Sequence, residues 1–151
     1  MKTITRDIQI DTPIERVFEF LADPNHLPEF WPNFIEVKNV KKSKGSDVFT
    51  FNWDYKMSGV RFEGKAEPVE YFPYERLVIR SKSDKGLEST ITWRFQPSGR
   101  GTHLMLKFDY QIPPALLKRT KEEIVLRENE HEVDAMLQNV KSILELQPAY
   151  A

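Results

Sequence analysis

The most restrictive feature of the sequence is an aromatic alternation between residues 49 and 55. Phe49, Phe51, Trp53 and Tyr55 occupy every second position, and polar residues stand between them. A period of two is the period of a β-strand, so the four rings project from one face of a sheet. Each covered ring buries roughly 150–250 Å². The fold must therefore cover this face with a large structural element, with a ligand, or with both.

The composition predicts a single globular domain over residues 1–151 with an even charge balance. There are 22 basic and 23 acidic residues, and this balance creates no overall field that would attract nucleic acid. The absence of cysteine excludes disulfides and thiolate metal ligands. No apolar run approaches the roughly 20 residues of a membrane span, and the N-terminus lacks the apolar segment of a signal peptide. We therefore expect a cytoplasmic protein without an integral membrane segment.

Turn residues divide the chain into a first strand, two short helices, six further strands and a C-terminal helix. The motif Thr12-Pro13-Ile14-Glu15 has the pattern of a capping box and predicts the start of the first helix. The six further strands are predicted at 34–41, 47–57, 60–70, 76–83, 87–96 and 102–112. Their short links make neighbouring strands antiparallel. One continuous helix is predicted over residues 115–146.

These elements predict an α+β helix-grip fold. A curved seven-stranded antiparallel sheet would wrap around the long C-terminal helix, and two short helices would follow strand 1. Strand alternation predicts that Ile35 and Val37 face inward together with the aromatic positions of the third strand. The facing stripe of the helix is predicted from i, i+3, i+4, i+7 spacing and consists of Val133, Met136, Leu137 and Val140.

Several motifs carry a resemblance to a known superfamily. They are IDTPIERVF at 10–18, LADP at 21–24, LPEFWP at 27–32, the turn at 73–77, and Gly101-Thr102 at the start of the last strand. With them the chain resembles the START-like, or Bet v 1-like (SRPBCC), superfamily, in its polyketide cyclase/dehydrase and lipid-transport branch. The resemblance implies a deep cavity between the sheet and the terminal helix. Members bind lipids, hormones, quinones or polyketides, and others are cyclases or Hsp90 co-chaperones, so the fold alone does not select a function.

The predicted ligand-binding residues surround the space over the aromatic face. They are Phe30, Trp31, Phe51, Trp53, Tyr55, Phe62, Trp93, Tyr110, Val133, Met136, Leu137 and Val140. Their rings would present flat apolar surface to a ligand, and their indole N–H and phenol groups would orient it. Direct packing of these rings against the helix is the alternative, because protein interiors normally leave little space. Trp31 either gates the entrance or plugs the core.

Glu130 is the candidate for acid–base chemistry. Tracing the helix stripe back from Leu137 and Val133 by steps of three or four reaches Glu130, where a carboxylate over the cavity would serve as a general acid or base. Glu128 and His131 match half of a di-iron motif, but the second copy that such sites need is missing from the sequence. We therefore expect neither a metal site nor a cofactor.

The leading functional hypothesis is the binding or transport of a small hydrophobic ligand between the sheet and the C-terminal helix. The ligand would be a lipid, a quinone or a polyketide-like aromatic, and the protein a monomer or homodimer. The first alternative is a cyclase/dehydrase-type enzyme, which an interior ionisable side chain facing a void would favour. The second alternative is a co-chaperone-like or ribosome-associated interaction module. A collapsed cavity and a contiguous exposed apolar patch would favour that alternative.

Overall fold

The computed structural model describes residues 1–42 and 47–146, and its elements follow the predicted order. The first part contains β1 (Lys2–Ile10), α1 (Ile14–Ala22), a 3-10 turn (Pro24–His26) and α2 (Leu27–Phe30). The strands β2 to β7 are Phe34–Lys42, Phe49–Met57, Val60–Phe72, Arg76–Ser83, Glu88–Ser98 and Gly101–Tyr110. Two helices follow, α3 (Pro114–Leu117) and α4 (Glu122–Leu146).

The seven strands form one antiparallel sheet in the order β1-β7-β6-β5-β4-β3-β2. Strands β2 to β7 are a meander, and β1 pairs with β7 so that Lys2 stands opposite Tyr110 and Ile10 opposite Thr102. The long helix α4 packs along β1, where Arg6 Nε donates to the Asp134 carboxylate over 2.8 Å. This architecture confirms the predicted α+β helix-grip fold.

The start of α1 differs from the predicted capping box. No side chain caps this helix, and Pro13 is the residue that precedes its first turn. Thr12 is buried, and its carbonyl accepts a hydrogen bond of 2.8 Å from the Thr102 hydroxyl of β7. The predicted start of the helix is confirmed, because α1 begins at Ile14, whereas the predicted side-chain cap is wrong, because Thr12 is buried in the β1–α1 connection, which bonds to β7.

A bulge in β2 changes which of its residues face inward. Phe34 pairs with Tyr55, whereas Glu36 pairs with Asp54, so one residue of β2 has no counterpart on β3. That residue, Ile35, is 41% exposed, while Phe34 packs against the core. The inward position predicted for Ile35 is therefore wrong, because strict alternation does not hold across a bulge.

The C-terminal helical region is two helices rather than one. After α3, the Thr120 N–H donates to the Leu116 carbonyl, and the second helix begins only at Glu122. The polar run at 118–121 supplies no apolar residue that would continue the buried stripe. The buried residues of α4 are Val125, Asn129, Glu132, Val133, Met136, Leu137, Val140 and Leu144. Within the described ranges, none of the helices has both the length and the apolar character of a membrane span.

Candidate functional site

A pocket lies over the aromatic face of β3, beneath the end of α1 and the segment that contains α2. It contains about 890 Å³ of space without protein atoms, part of it continuous with solvent. Little of this space is wide enough to admit a water-sized molecule, so the opposing walls stand close together. Strands β3 to β6 supply most of the wall, and residues of α1, the 3-10 turn and α2 cover it.

The pocket brings together five of the predicted ligand-binding residues. Trp31, Phe51, Trp53, Tyr55 and Trp93 line it. The other seven are buried in the core without lining it: Phe30, Phe62, Tyr110, Val133, Met136, Leu137 and Val140. No described residue of α4 lines the pocket. The space therefore lies between the sheet and the α1–α2 segment rather than between the sheet and the C-terminal helix, because the α4 stripe is packed into the core.

The remaining wall is apolar with a few polar groups. Leu77, Ile79 and Ile91 line it from β5 and β6. Ser81 and Ser89 also line it, and they stand directly opposite each other in the β5–β6 pairing. Sequence reasoning missed both serines, although the alternation of β5 through Leu77 and Ile79 already assigns Ser81 to the inward face. Such a wall suits an uncharged ligand that is mostly apolar.

A buried carboxylate lies behind two of the pocket's rings. Glu132 of α4 is only 9% exposed. It accepts hydrogen bonds from the Trp31 indole N–H, from the Asn33 side-chain amide at 2.8 Å and from the Tyr55 hydroxyl at 2.5 Å. Asn33 has a φ of 67°, a left-handed conformation that asparagine tolerates better than most residues. Glu132 thus ties α4, the α2–β2 loop and β3 together at the pocket wall.

The surroundings of Glu132 change the proton affinity of the cluster. Burial raises the pKa of Glu132, and the three hydrogen bonds offset only part of that effect. Burial also raises the pKa of Tyr55 well above its usual value, and the negative charge of Glu132 adds to the increase. The folded protein therefore binds the Glu132 proton more tightly than the unfolded chain does. The contribution of this carboxyl to stability consequently falls as the pH rises from its ordinary pKa to its raised one.

The structure corrects the position predicted for Glu130, which is exposed. The buried stripe of α4 instead passes through Asn129 and Glu132. Glu132 lies four residues before Met136, and Asn129 lies four residues before Val133. The helical period therefore places both of them on the buried face. The prediction counted back from Leu137 and Val133 and reached Glu130 instead. A buried glutamate is also rare without hydrogen-bond or charge partners, and the sequence does not reveal the partners of Glu132.

The structure also bears on metal binding and on the role of Trp31. Within residues 1–42 and 47–146, no three histidine, aspartate or glutamate side chains are grouped as metal ligands would be.

Trp31 is half-buried and packs edge-on against Tyr55 and Phe108. Together with its bond to Glu132, these contacts anchor Trp31 as part of the wall.

Fold and site together define a START-like protein of the helix-grip type with a narrow, mostly apolar pocket. The chain belongs to the family described as polyketide cyclase / dehydrase and lipid transport, whose model matches residues 1–145. This match confirms the superfamily and the branch that the sequence motifs predicted.

Solved structures from several bacteria share the fold. A protein from Thermus thermophilus is 22% identical with a TM-score of 0.74, over 93% of this chain and 95% of that one. A START superfamily protein from Mycobacterium smegmatis is 11% identical with a TM-score of 0.74, over 95% and 97% of the two chains. The Zhui aromatase/cyclase from a Streptomyces species is 15% identical with a TM-score of 0.69, over 92% and 93%. A search of curated proteins found no significant match.

Proposed function

We propose that this protein binds a small hydrophobic molecule, of the lipid, quinone or polyketide-like aromatic kind, in the pocket over β3. The observation that carries the proposal is the wall itself. Aromatic side chains and the aliphatic residues of β5 and β6 line a narrow pocket with about 890 Å³ of space without protein atoms, part of it continuous with solvent. A close-packed interior normally leaves few such spaces. Membership of a family that is described by lipid transport and cyclase activity adds support.

An enzymatic role of the cyclase type is the second candidate, and one contact favours it. Tyr55 lines the pocket, and its hydroxyl donates a hydrogen bond to the buried Glu132. Three features weigh against proton exchange with a ligand. Glu132 already accepts three hydrogen bonds and does not itself line the pocket, and the raised pKa of Tyr55 keeps its proton in place. The pair therefore suits the positioning of the wall better than acid–base catalysis.

The interaction-module alternative requires a collapsed interior. The pocket over β3 is narrow, with its apolar walls close together, and it is nevertheless partly continuous with solvent rather than fully closed by side chains. Exposed apolar side chains do occur at the β4–β5 turn, where Val69, Phe72 and Tyr74 are 41%, 46% and 41% exposed.

Native mass spectrometry of the freshly purified protein tests the proposal. We expect a fraction of the molecules to carry an added mass that organic extraction removes. The extracted protein should then take up the neutral fluorescent probe N-phenyl-1-naphthylamine with saturable, one-to-one binding. A clean unliganded mass combined with no saturable uptake of the probe would contradict the proposed function.

A further inference from the structure

A second concave region lies on the outer face of the sheet, away from the pocket over β3. Strands β1, β5, β6 and β7 supply most of its surface, and water-sized molecules have room in about 530 Å³ of it. A smaller depression of about 410 Å³ shares three of its lining residues, Arg76, Arg94 and Met105. We call the larger depression, which these three residues help to line, the outer groove.

Two arginines stand side by side in the outer groove. Arg76 of β5 is directly opposite Arg94 of β6, and both alternate with residues of the inner face, so both side chains point outward. Like charges at directly opposite positions destabilise a sheet. Arg94 is exposed, and its guanidinium has no hydrogen-bond or ion-pair partner within the described part of the chain. An anion bound beside both groups would relieve the repulsion between them.

Glu70 and Phe72 hold the guanidinium group of Arg76. Its Nη2 donates to one carboxylate oxygen of Glu70 over 3.2 Å, and its Nε lies 3.1 Å from the other oxygen. Its central carbon lies 5.3 Å from the centroid of the Phe72 ring. The third nitrogen, Nη1, makes no hydrogen bond to another described residue, so Arg76 keeps a donor for a ligand.

The carboxylates that line the outer groove are already paired. Glu70 is bound to Arg76, and the Asp7 carboxylate lies 2.6 Å from Nε2 of His103. Among the described residues, no further acidic side chain lines the groove, and Glu75 lines only the smaller depression. An incoming anion would therefore meet little negative charge that a basic side chain does not already neutralise.

Two basic side chains of the groove remain for an anion besides Arg76. Arg94 has no partner among the described residues, and Lys107 of β7 is its diagonal neighbour across the β6–β7 pairing. The Lys107 Nζ lies 3.9 Å from the Asp109 carboxylate, which is a long and weak ion pair. Arg6, which also lines the groove, is paired with Asp134 of α4.

We propose that the outer groove binds a small organic phosphate, whose phosphate group contacts Arg94 and Arg76 and lies near Lys107. A guanidinium presents its donors in a planar fork that matches the oxygens of a phosphate. A phosphate monoester carries nearly two negative charges at neutral pH, so it gains more from three neighbouring basic groups than a carboxylate does. This site lies outside the pocket of the proposed function and does not depend on it.

The apolar surface of the outer groove suits the organic part of such a ligand. Val78 is 8% exposed and Met105 is half-buried, and both lie on the same face as the arginines. A lipid bilayer is a poorer partner, because none of the large apolar side chains described in this groove is exposed enough to enter a membrane.

Phenyl phosphate and inorganic phosphate are matched probes, because they carry similar charge and differ by the apolar ring. We expect saturable binding of both in a titration at low ionic strength, with phenyl phosphate bound more tightly. Arg94→Gln should weaken the binding of phenyl phosphate about 10-fold, the effect of losing charge-assisted hydrogen bonds to one guanidinium. Arg119→Gln removes the same charge from an exposed position in the α3–α4 loop and should bind as the unmodified protein does.

Methyl signals in NMR spectra locate the bound probe without any substitution. Phenyl phosphate should shift the signals of Val78 and Met105 and leave those of Leu21 and Leu27, which line the pocket over β3, unchanged. The inference is overturned if no saturable binding occurs, if both arginine variants lose affinity equally, or if the Leu21 and Leu27 signals shift instead. Equal affinity for the two probes contradicts the organic part of the ligand, and Arg94-dependent binding of phosphatidylglycerol vesicles contradicts a small soluble one. The proposed function is tested separately by the uptake of N-phenyl-1-naphthylamine.

Discussion

Replacing Glu132 by alanine is expected to lower the free energy of unfolding by about 3 kcal/mol. The substitution leaves the Trp31 indole N–H and the Tyr55 hydroxyl without their acceptor in a place that water hardly reaches. It also removes the acceptor of the Asn33 side-chain amide, and this hydrogen bond is one of the contacts between α4 and the α2–β2 loop. Chemical denaturation monitored by circular dichroism measures the loss directly.

Glu130→Ala is the matched control, because it removes the same side chain two residues away from an exposed position on the same helix. We expect the control to change stability by less than about 0.5 kcal/mol, as is usual for surface substitutions. Equal effects of the two substitutions would show that Glu132 does not hold the wall together. If Glu132→Ala stabilises the protein, the free-energy cost of burying this carboxylate exceeds the stabilisation from its three hydrogen bonds.

Filling the pocket should strongly weaken ligand binding without unfolding the protein. Ser81 faces the pocket from β5, and the opposing walls are too close to accommodate both an additional ring and a ligand. We expect Ser81→Phe to weaken the binding of N-phenyl-1-naphthylamine by about 10-fold or more, since overpacking a close-fitting site costs roughly 1–3 kcal/mol. A fluorescence titration of the extracted protein provides the measurement.

Arg80→Phe serves as the control for this blocking substitution. Arg80 is the preceding residue on β5 and points to the exposed face of the sheet, so the same new ring lies outside the pocket. Probe binding should match that of the unmodified protein. If Ser81→Phe folds and still binds the probe with full affinity, the ligand does not occupy the space over β3.

The regular parts of this fold were predictable because they depend on period and turn chemistry alone. The alternation of β3 identified Phe51, Trp53 and Tyr55 as inward-facing, and all three are buried. The inward position predicted for Ile35 was wrong because a β-bulge inserts one residue into β2. The local sequence of β2 gives no sign of that insertion. The side-chain cap is absent where Thr12 is buried, and its backbone carbonyl accepts a hydrogen bond from the hydroxyl of Thr102, 90 residues further along the chain, a contact that no local pattern reveals.

The candidate site was only partly predictable for a related reason. Alternation and helical period tell which residues point inward, but they do not tell whether an inward residue meets a neighbour or an empty space. Met136 and Val140 point inward as predicted and are packed in the core, whereas Trp93 points inward and lines the pocket. Glu132 is held by donors from Trp31 and Tyr55, residues 101 and 77 positions away, which no local pattern connects to it.

The most direct test of the central claim is to locate a bound probe by NMR in the extracted protein. Intermolecular nuclear Overhauser effects should join N-phenyl-1-naphthylamine to the methyl groups of Leu77, Ile79 and Ile91, which line the pocket. The methyl groups of Val133 and Val140, which lie in the core, should show none. Contacts to the two α4 valines, or contacts confined to the exposed β4–β5 turn, would contradict the placement of the ligand over β3.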